Sequence, residues 1–239
     1  MTVPLVVALD QAEPDAARAC VVRLRGSVDG FKVGSTLFTR SGPALVTELA
    51  DAGNEVFLDL KFHDTPATVA GAVTAAADLG VWLLTVHAAG GPAMLKAARE
   101  AAERARGRHP LLVAVTVLTS LDRAAYARVA GPGARPLDEA ARSLAHLAIE
   151  AGLDGVVCAA SEAAELRSEL GPQPLLVVPG IRPRWSTSDH AGQVRTATPA
   201  EAVTAGASIL VLGRAITAAS DPEAAADRVR SEIAATSSR

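Results

Sequence analysis

Aromatic side chains are scarce in this sequence. Its 239 residues include four Phe, two Trp and one Tyr, 3% in all. That leaves few rings for the stacking platform a single-stranded nucleic acid needs. Positive charge is not in excess either: 23 Lys and Arg stand against 26 Asp and Glu, a net charge of -3. A general polyanion binder is not expected, and no nucleic-acid partner is read from the chain. Cysteine is rarer still. Cys20 and Cys158 form no CxxC pair and have no His or Cys neighbours at zinc-ligand spacing. They read as two buried thiols in a reducing cytoplasm. No apolar run reaches the ~18 residues of a membrane span. The opening "MTVPLVVALD" lacks a basic n-region and is read as a first strand rather than an export signal. Walker A, G-x-G-x-x-G and Ser-His-Asp patterns are all missing. Lysine is nearly missing as well. Of the 23 basic residues only Lys32, Lys61 and Lys96 are lysines. In a chain whose default cation is arginine, a lysine stands out, because it can release its proton and arginine effectively cannot.

What the chain has is alternation of two kinds of segment, with 49% hydrophobic residues to build a core. Short Val/Leu-rich runs are expected as strands at Leu5–Ala8, Gly30–Val33, Glu55–Leu60, Leu83–Val86, Leu111–Thr116, Gly155–Cys158, Leu175–Val178 and Ser208–Leu212. Ala-rich stretches between them are expected as helices, roughly Pro14–Leu24, Pro43–Ala52, Pro66–Leu79, Pro92–Arg106, Asp138–Ala151, Ser161–Leu170 and Pro199–Ala205, with a last one from Pro222 to Ala234. Six of these starts carry Pro at or near the first helical position, and "DAGNE", "EAGLDG" and "TAGAS" end helices on Gly. Eight strands alternating with eight helices in this length predict a single (β/α)8 TIM barrel over residues 1–239, with a doubly wound open sheet as the alternative. Leu121–Pro136 reads as a loop elaboration with an extra short helix.

Both architectures bind ligands at the carboxyl ends of the strands. The residues expected there are Asp10 after strand one, Lys32 on strand two, Asp59, Lys61 and Asp64 around strand three, and His87 after strand four. Strand five offers Thr116, Thr119 and Ser120, strand seven Arg182, and strand eight Gly213 and Arg214. The stretch "VFLDLKFHDTP" is the most pointed. Strand alternation sends Val56, Leu58 and Leu60 toward the helices, and Phe57, Asp59 and Lys61 into the barrel. Asp64 falls in the turn before Pro66. An alternating run Lys32–Asp59–Lys61–Asp64 becomes possible, either as a structural ion-pair cluster at the rim or as an active site; its place at a strand carboxyl end favours the active site. "LVLGRAIT" and "PGIRP" supply Gly213, Arg214 and Arg182 from the loops that commonly hold phosphate in this fold. His87 has no metal-ligand partner pattern and reads as a satisfied histidine inside the barrel; His63 is given no role, and His109, His146 and His190 read as surface or loop positions.

The string "LDLKFHDTPATV" carries D-x-K-x-x-D and resembles the orotidine 5'-phosphate decarboxylase family. Collinear support comes from "VALD", "FKVGSTLF", "TVHAAGG", "VTVLTS", "VPGIRP" and "LVLGRAIT". The related sugar-phosphate branch, the 3-keto-L-gulonate 6-phosphate decarboxylases and hexulose-phosphate synthases, has a glutamate at the strand-two position and uses magnesium. Lys32 stands there instead, which favours the nucleotide branch and argues against a metal. The resemblance implies a cytoplasmic enzyme that converts orotidine 5'-phosphate to uridine 5'-phosphate in pyrimidine biosynthesis without cofactor or metal. It implies Lys61 as proton donor, with Asp59, Lys32 and Asp64 in its charge network. Asp10 and Lys32 would contact the ribose hydroxyls and Thr119 the pyrimidine. Arg182, Gln193, Gly213 and Arg214 would hold the phosphate and its loop, although the segment between Arg182 and Gln193 looks slightly long for the family. Asp64 and Thr68 would reach the partner subunit's site, so that a homodimer shares its active sites. A non-catalytic phosphate-binding barrel is the reading of another class, and it would not need Lys61 between two aspartates.

Overall fold

A computed structural model describes residues 3–186 and 195–237 of the chain. Eight parallel strands close into a barrel in chain order. They are β1 (Leu5–Leu9), β2 (Gly30–Gly34), β3 (Val56–Phe62), β4 (Leu83–His87), β5 (Leu111–Val115), β6 (Gly155–Val157), β7 (Leu175–Val178) and β8 (Ile209–Leu212). Pairing of Leu5, Val6 and Val7 with Leu210, Val211 and Leu212 closes the cylinder. The open-sheet alternative is thereby excluded, since an open sheet would leave two edge strands unpaired on one side, whereas all eight strands here have two neighbours.

Helices α1 (Pro14–Leu24), α2 (Ser35–Asp51), α3 (Pro66–Ala77), α4 (Gly91–Glu103), α5 (Arg123–Ala130), α6 (Leu137–Glu150), α7 (Ala160–Leu170), α8 (Pro199–Thr204), α9 (Arg214–Thr217) and α10 (Pro222–Ser237) follow among the described residues. The strands fall within two residues of expectation, because short apolar runs and Gly/Pro punctuation are local signals. Two helices do not. α2 begins at Ser35, about two turns before Pro43, and kinks at Gly42, whose φ of 63° suits glycine alone. The short α9 starts at Arg214, immediately after β8.

Alternation along the strands sorts the core into two shells. Val6, Ala8, Phe57, Leu83, Val113, Val177, Ile209 and Val211 fill the barrel interior. Leu5, Val7, Phe31, Val33, Val56, Leu58, Leu84, Leu112, Leu176 and Leu210 face outward into the helix layer. Gly155 on β6 has no room for a side chain: a Cβ there would sit 2.1 Å from the carbonyl oxygen of Leu175. Cys158 is buried, and burial pushes its thiol pKa up, so it stays a thiol. Cys20 is only half-buried on α1, which corrects the expectation of two buried thiols. No helix among the described residues is long and apolar enough to cross a membrane.

Candidate active site

Above the apolar interior, at the carboxyl ends of the strands, a cleft of about 320 Å³ opens. Asp10, Lys32, Asp59, Lys61, Thr119, Arg182, Gly213 and Arg214 line it together with Phe57, Val157, Val177 and Val211. Eight residues expected at six strand ends therefore meet in one cavity. Asp64, on the β3–α3 turn, and Thr68, in the first turn of α3, do not line it; both are exposed. Gln193 and His190 lie outside the described residues.

The floor is a line of alternating charge. Lys61 Nζ lies 2.8 Å from Asp59 Oδ1, and Lys32 Nζ lies 3.5 Å from Asp59 Oδ2 and 3.7 Å from Asp10 Oδ1. Asp59 is 9% exposed. Burial alone would raise its pKa, but the charges of Lys32 and Lys61, with hydrogen bonds from Lys61 and Thr85, outweigh burial and hold the carboxyl below its usual value. The run within the chain is thus Asp10–Lys32–Asp59–Lys61. It does not extend to Asp64, whose Oδ1 instead accepts the Thr65 amide at 2.6 Å. That amide bond holds the turn, and a 3.0 Å bond between the hydroxyls of Thr65 and Thr68 adds to it.

Lys61 reaches the cleft by an irregular route. Between Leu58 and Phe62 the register against β4 shifts, with Leu58 opposite Leu84 and Phe62 opposite Val86. Four steps on β3 match two on β4, the signature of a bulge. Lys61 adopts φ 53°, which no other non-glycine residue does among the described residues. Its amide leaves the ladder and donates to Thr85 Oγ1 at 2.8 Å, while that hydroxyl donates to Asp59 Oδ1 at 3.1 Å. Thr85 is fully buried and was not singled out in the sequence. A hydroxyl at an inward position of an otherwise apolar "LLTVH" strand was the signal available.

At the far end of the cleft Arg182 and Arg214 stand together. Burial, and then the charge of Arg214, lower the pKa of the Arg182 guanidinium. Its Nη1 bonds the Ile181 carbonyl at 3.3 Å, and its Nε is buried with no partner among the described residues. Two adjacent cations with an unspent donor suit a multiply charged anion. Gly213 lets Asp10 lie close, since a Cβ there would come within 2.9 Å of Asp10 Oδ2.

His87 does not line the cleft. Its ring stacks on His63 with centroids 5.1 Å apart, and its Nδ1 accepts the Ala89 amide at 3.3 Å. Burial, then the charges of His63 and Lys61, depress its pKa, in keeping with a nitrogen that must stay unprotonated to accept. It is a satisfied histidine, but one at the strand end rather than within the barrel interior. No group of three or more His, Cys, Asp or Glu side chains that could hold a metal occurs among the described residues.

The chain is similar to proteins of known type over nearly its whole length. The model of the Orotidine 5'-phosphate decarboxylase / HUMPS family matches residues 3–229. Orotidine 5'-phosphate decarboxylase of Chromohalobacter salexigens is 53% identical over 232 residues, covering 97% of this chain and 96% of that protein. The enzyme of Halorhodospira halophila is 52% identical over 239 residues, covering 98% and 99%. Among solved structures, orotidine 5'-phosphate decarboxylase of Lactobacillus acidophilus superposes with a TM-score of 0.84 at 36% identity, covering 97% of this chain and 99% of that one. A closed eight-stranded barrel, a charged D-x-K-x-x-D strand end and matches of this extent agree: the chain belongs to the orotidine 5'-phosphate decarboxylase / HUMPS family.

Proposed function

We propose that the cleft decarboxylates orotidine 5'-phosphate to uridine 5'-phosphate, with Lys61 as proton donor. The observation that carries this reading is the buried Asp59 held between two ammonium groups at one end of a cleft whose other end holds two guanidiniums. The arginine end suits a phosphate and the lysine end suits a developing carbanion.

In the step, the bond between the ring carbon and its carboxylate breaks and carbon dioxide leaves. The electron pair stays on the ring carbon, and Lys61 transfers a proton to it; the resulting neutral amine regains its proton from water. A protonated Lys61 next to the reacting carbon stabilises the growing negative charge before it delivers the proton. Asp59 keeps that ammonium oriented through the 2.8 Å ion pair. Asp10 and Lys32 would take the ribose hydroxyls and Thr119 the pyrimidine, with Arg182, Arg214, Gly213 and Gln193 around the phosphate. Binding energy from the remote phosphate is then available to position the ring.

Lys32 also supports the nucleotide branch over the sugar-phosphate branch. Its ammonium already neutralises Asp10 and Asp59, the two carboxylates that would otherwise be offered to a metal cation. Asp64 and Thr68, exposed and outside the cleft of their own chain, are proposed to complete the site of a second copy in a homodimer. Residues 1–239 are read as one domain, since α10 packs back on α1 and α8 to finish the barrel.

A spectrophotometric assay with orotidine 5'-phosphate tests the reading directly. Turnover should persist unchanged after exhaustive dialysis against a chelator. Absence of turnover, or activity that returns only with magnesium and a sugar-phosphate substrate, overturns it.

A further inference from the structure

Glu162 is one of very few charged side chains buried in the described residues, 5% exposed, and the floor of the cleft does not use it. It sits in the first turn of α7, behind Ala159, a capping position that carries no side-chain oxygen. One of its oxygens accepts the Ala159 amide at 2.9 Å and so caps the helix. The other is ion-paired with Arg195. Arg195 comes from a different part of the chain, the segment between β7 and α8, and its side chain is 15% exposed. Its Nη2 reaches two further acceptors, the carbonyls of Val117 and Leu118, each at 3.4 Å. Those residues, with Thr119, are the lip of the cleft beyond β5.

A single guanidinium thus ties together three βα units. The β5 lip supplies two carbonyls, α7 after β6 supplies a carboxylate, and the arginine belongs to the segment that begins with Arg182. That segment is itself closed on itself, because the Arg182 amide donates to the Ala197 carbonyl at 2.7 Å, two residues beyond Arg195. Only the planar fork of an arginine has donors spread widely enough for all three partners. An ion pair this buried is poor evidence for stability, since desolvation offsets much of its attraction. Its geometry, in contrast, specifies where the lip sits relative to the arginine end.

We propose that Arg195, held by Glu162, is a positioning residue that sets the Val117–Thr119 lip, and hence the base end of the cleft, relative to the phosphate end. This rests on the reading of Thr119 as the pyrimidine contact given above.

The test uses Arg195→Lys, which keeps both charges of the pair, and Glu162→Gln, which keeps an oxygen acceptor in place of the carboxylate, in the full-length protein. Dissociation constants are measured for uridine 5'-phosphate and for ribose 5-phosphate, which lacks the base. Arg195→Lys should weaken uridine 5'-phosphate about tenfold and leave ribose 5-phosphate within about twofold. Glu162→Gln should do the same more weakly, and the double variant should be no worse than Arg195→Lys, as two members of one link require. Equal weakening of both ligands, as a merely structural role would give, overturns the proposal, and so does no weakening of either. Thr119→Ala serves as the control. If it leaves uridine 5'-phosphate binding unchanged, the reading of Thr119 has failed. If it weakens that ligand and Arg195→Lys does not, only the positioning by Arg195 has failed.

Discussion

Lys61 Nζ bonds Asp59 Oδ1 at 2.8 Å across a backbone that has left the strand conformation, with Lys61 at φ 53°. Regular alternation alone would also have put the two side chains on one face. The bulge instead turns the Lys61 amide onto Thr85 Oγ1, so that one hydroxyl holds both the backbone of Lys61 and the carboxylate of Asp59. A left-handed conformation in a non-glycine residue costs on the order of 1 kcal/mol and persists where the surroundings over-determine it.

Replacing Lys61 should separate chemistry from strain. Lys61→Ala should lower turnover at least about a thousandfold, the scale of losing a general acid together with its electrostatic stabilisation. Uridine 5'-phosphate should still bind, as isothermal titration would show. Lys61→Gly should be equally inactive yet melt roughly 2–4 °C above Lys61→Ala, because glycine accepts φ 53° without strain. Near wild-type turnover in either variant refutes the proton-donor role, and identical melting temperatures refute the strain.

The Asp59 carboxyl should titrate below the ordinary value of about 3.9. Burial opposes this, but Lys32, Lys61 and Thr85 together prevail. For an acid with a depressed folded pKa, the linked stability is fully present above the unfolded value and is lost as pH falls through the folded one. Carbon-detected NMR of the aspartate carboxyls, followed downward from pH 6, gives the measurement. Titration of Asp59 at or above the ordinary value contradicts the network.

The proposed sharing of sites between two copies predicts complementation. Lys61→Ala and Asp64→Ala homodimers should each be nearly inactive. Mixed and allowed to exchange, they form hybrids in which one of the two sites takes an intact Lys61 from the Asp64→Ala chain and an intact Asp64 from the Lys61→Ala chain. Statistical exchange should restore roughly a quarter of wild-type activity. No recovery, with exchange verified by native mass spectrometry, means that Asp64 serves its own chain.

Gly155→Ala should destabilise the barrel without touching the cleft. The new methyl would lie 2.1 Å from the Leu175 carbonyl oxygen, and β6 and β7 must part to admit it. A cost of about 2–3 kcal/mol, or a melting temperature lower by about 5 °C or more, is expected from calorimetry. An unchanged melting temperature shows that the strands yield freely there.

By itself the sequence determined the barrel, its strand limits and most of the cleft. A short apolar run bounded by Gly or Pro is a local pattern, and in a parallel barrel the strand ends share one rim, so residues such as Asp10, Lys32, Asp59 and Arg214 are brought together by topology alone. Tertiary structure decided what depends on neighbours remote in sequence. The charge run takes in Asp10 and not Asp64 because Asp10 directly follows β1, which pairs with β2 so that Ala8 lies beside Lys32 in register. Thr85 became part of the site because the β3 bulge needed a substitute for a lost ladder bond. The link from Arg195 to Glu162 and to the carbonyls of Val117 and Leu118 spans three βα units. No periodicity encodes such a link, since it exists only once the closed barrel has brought those loops within reach of one guanidinium.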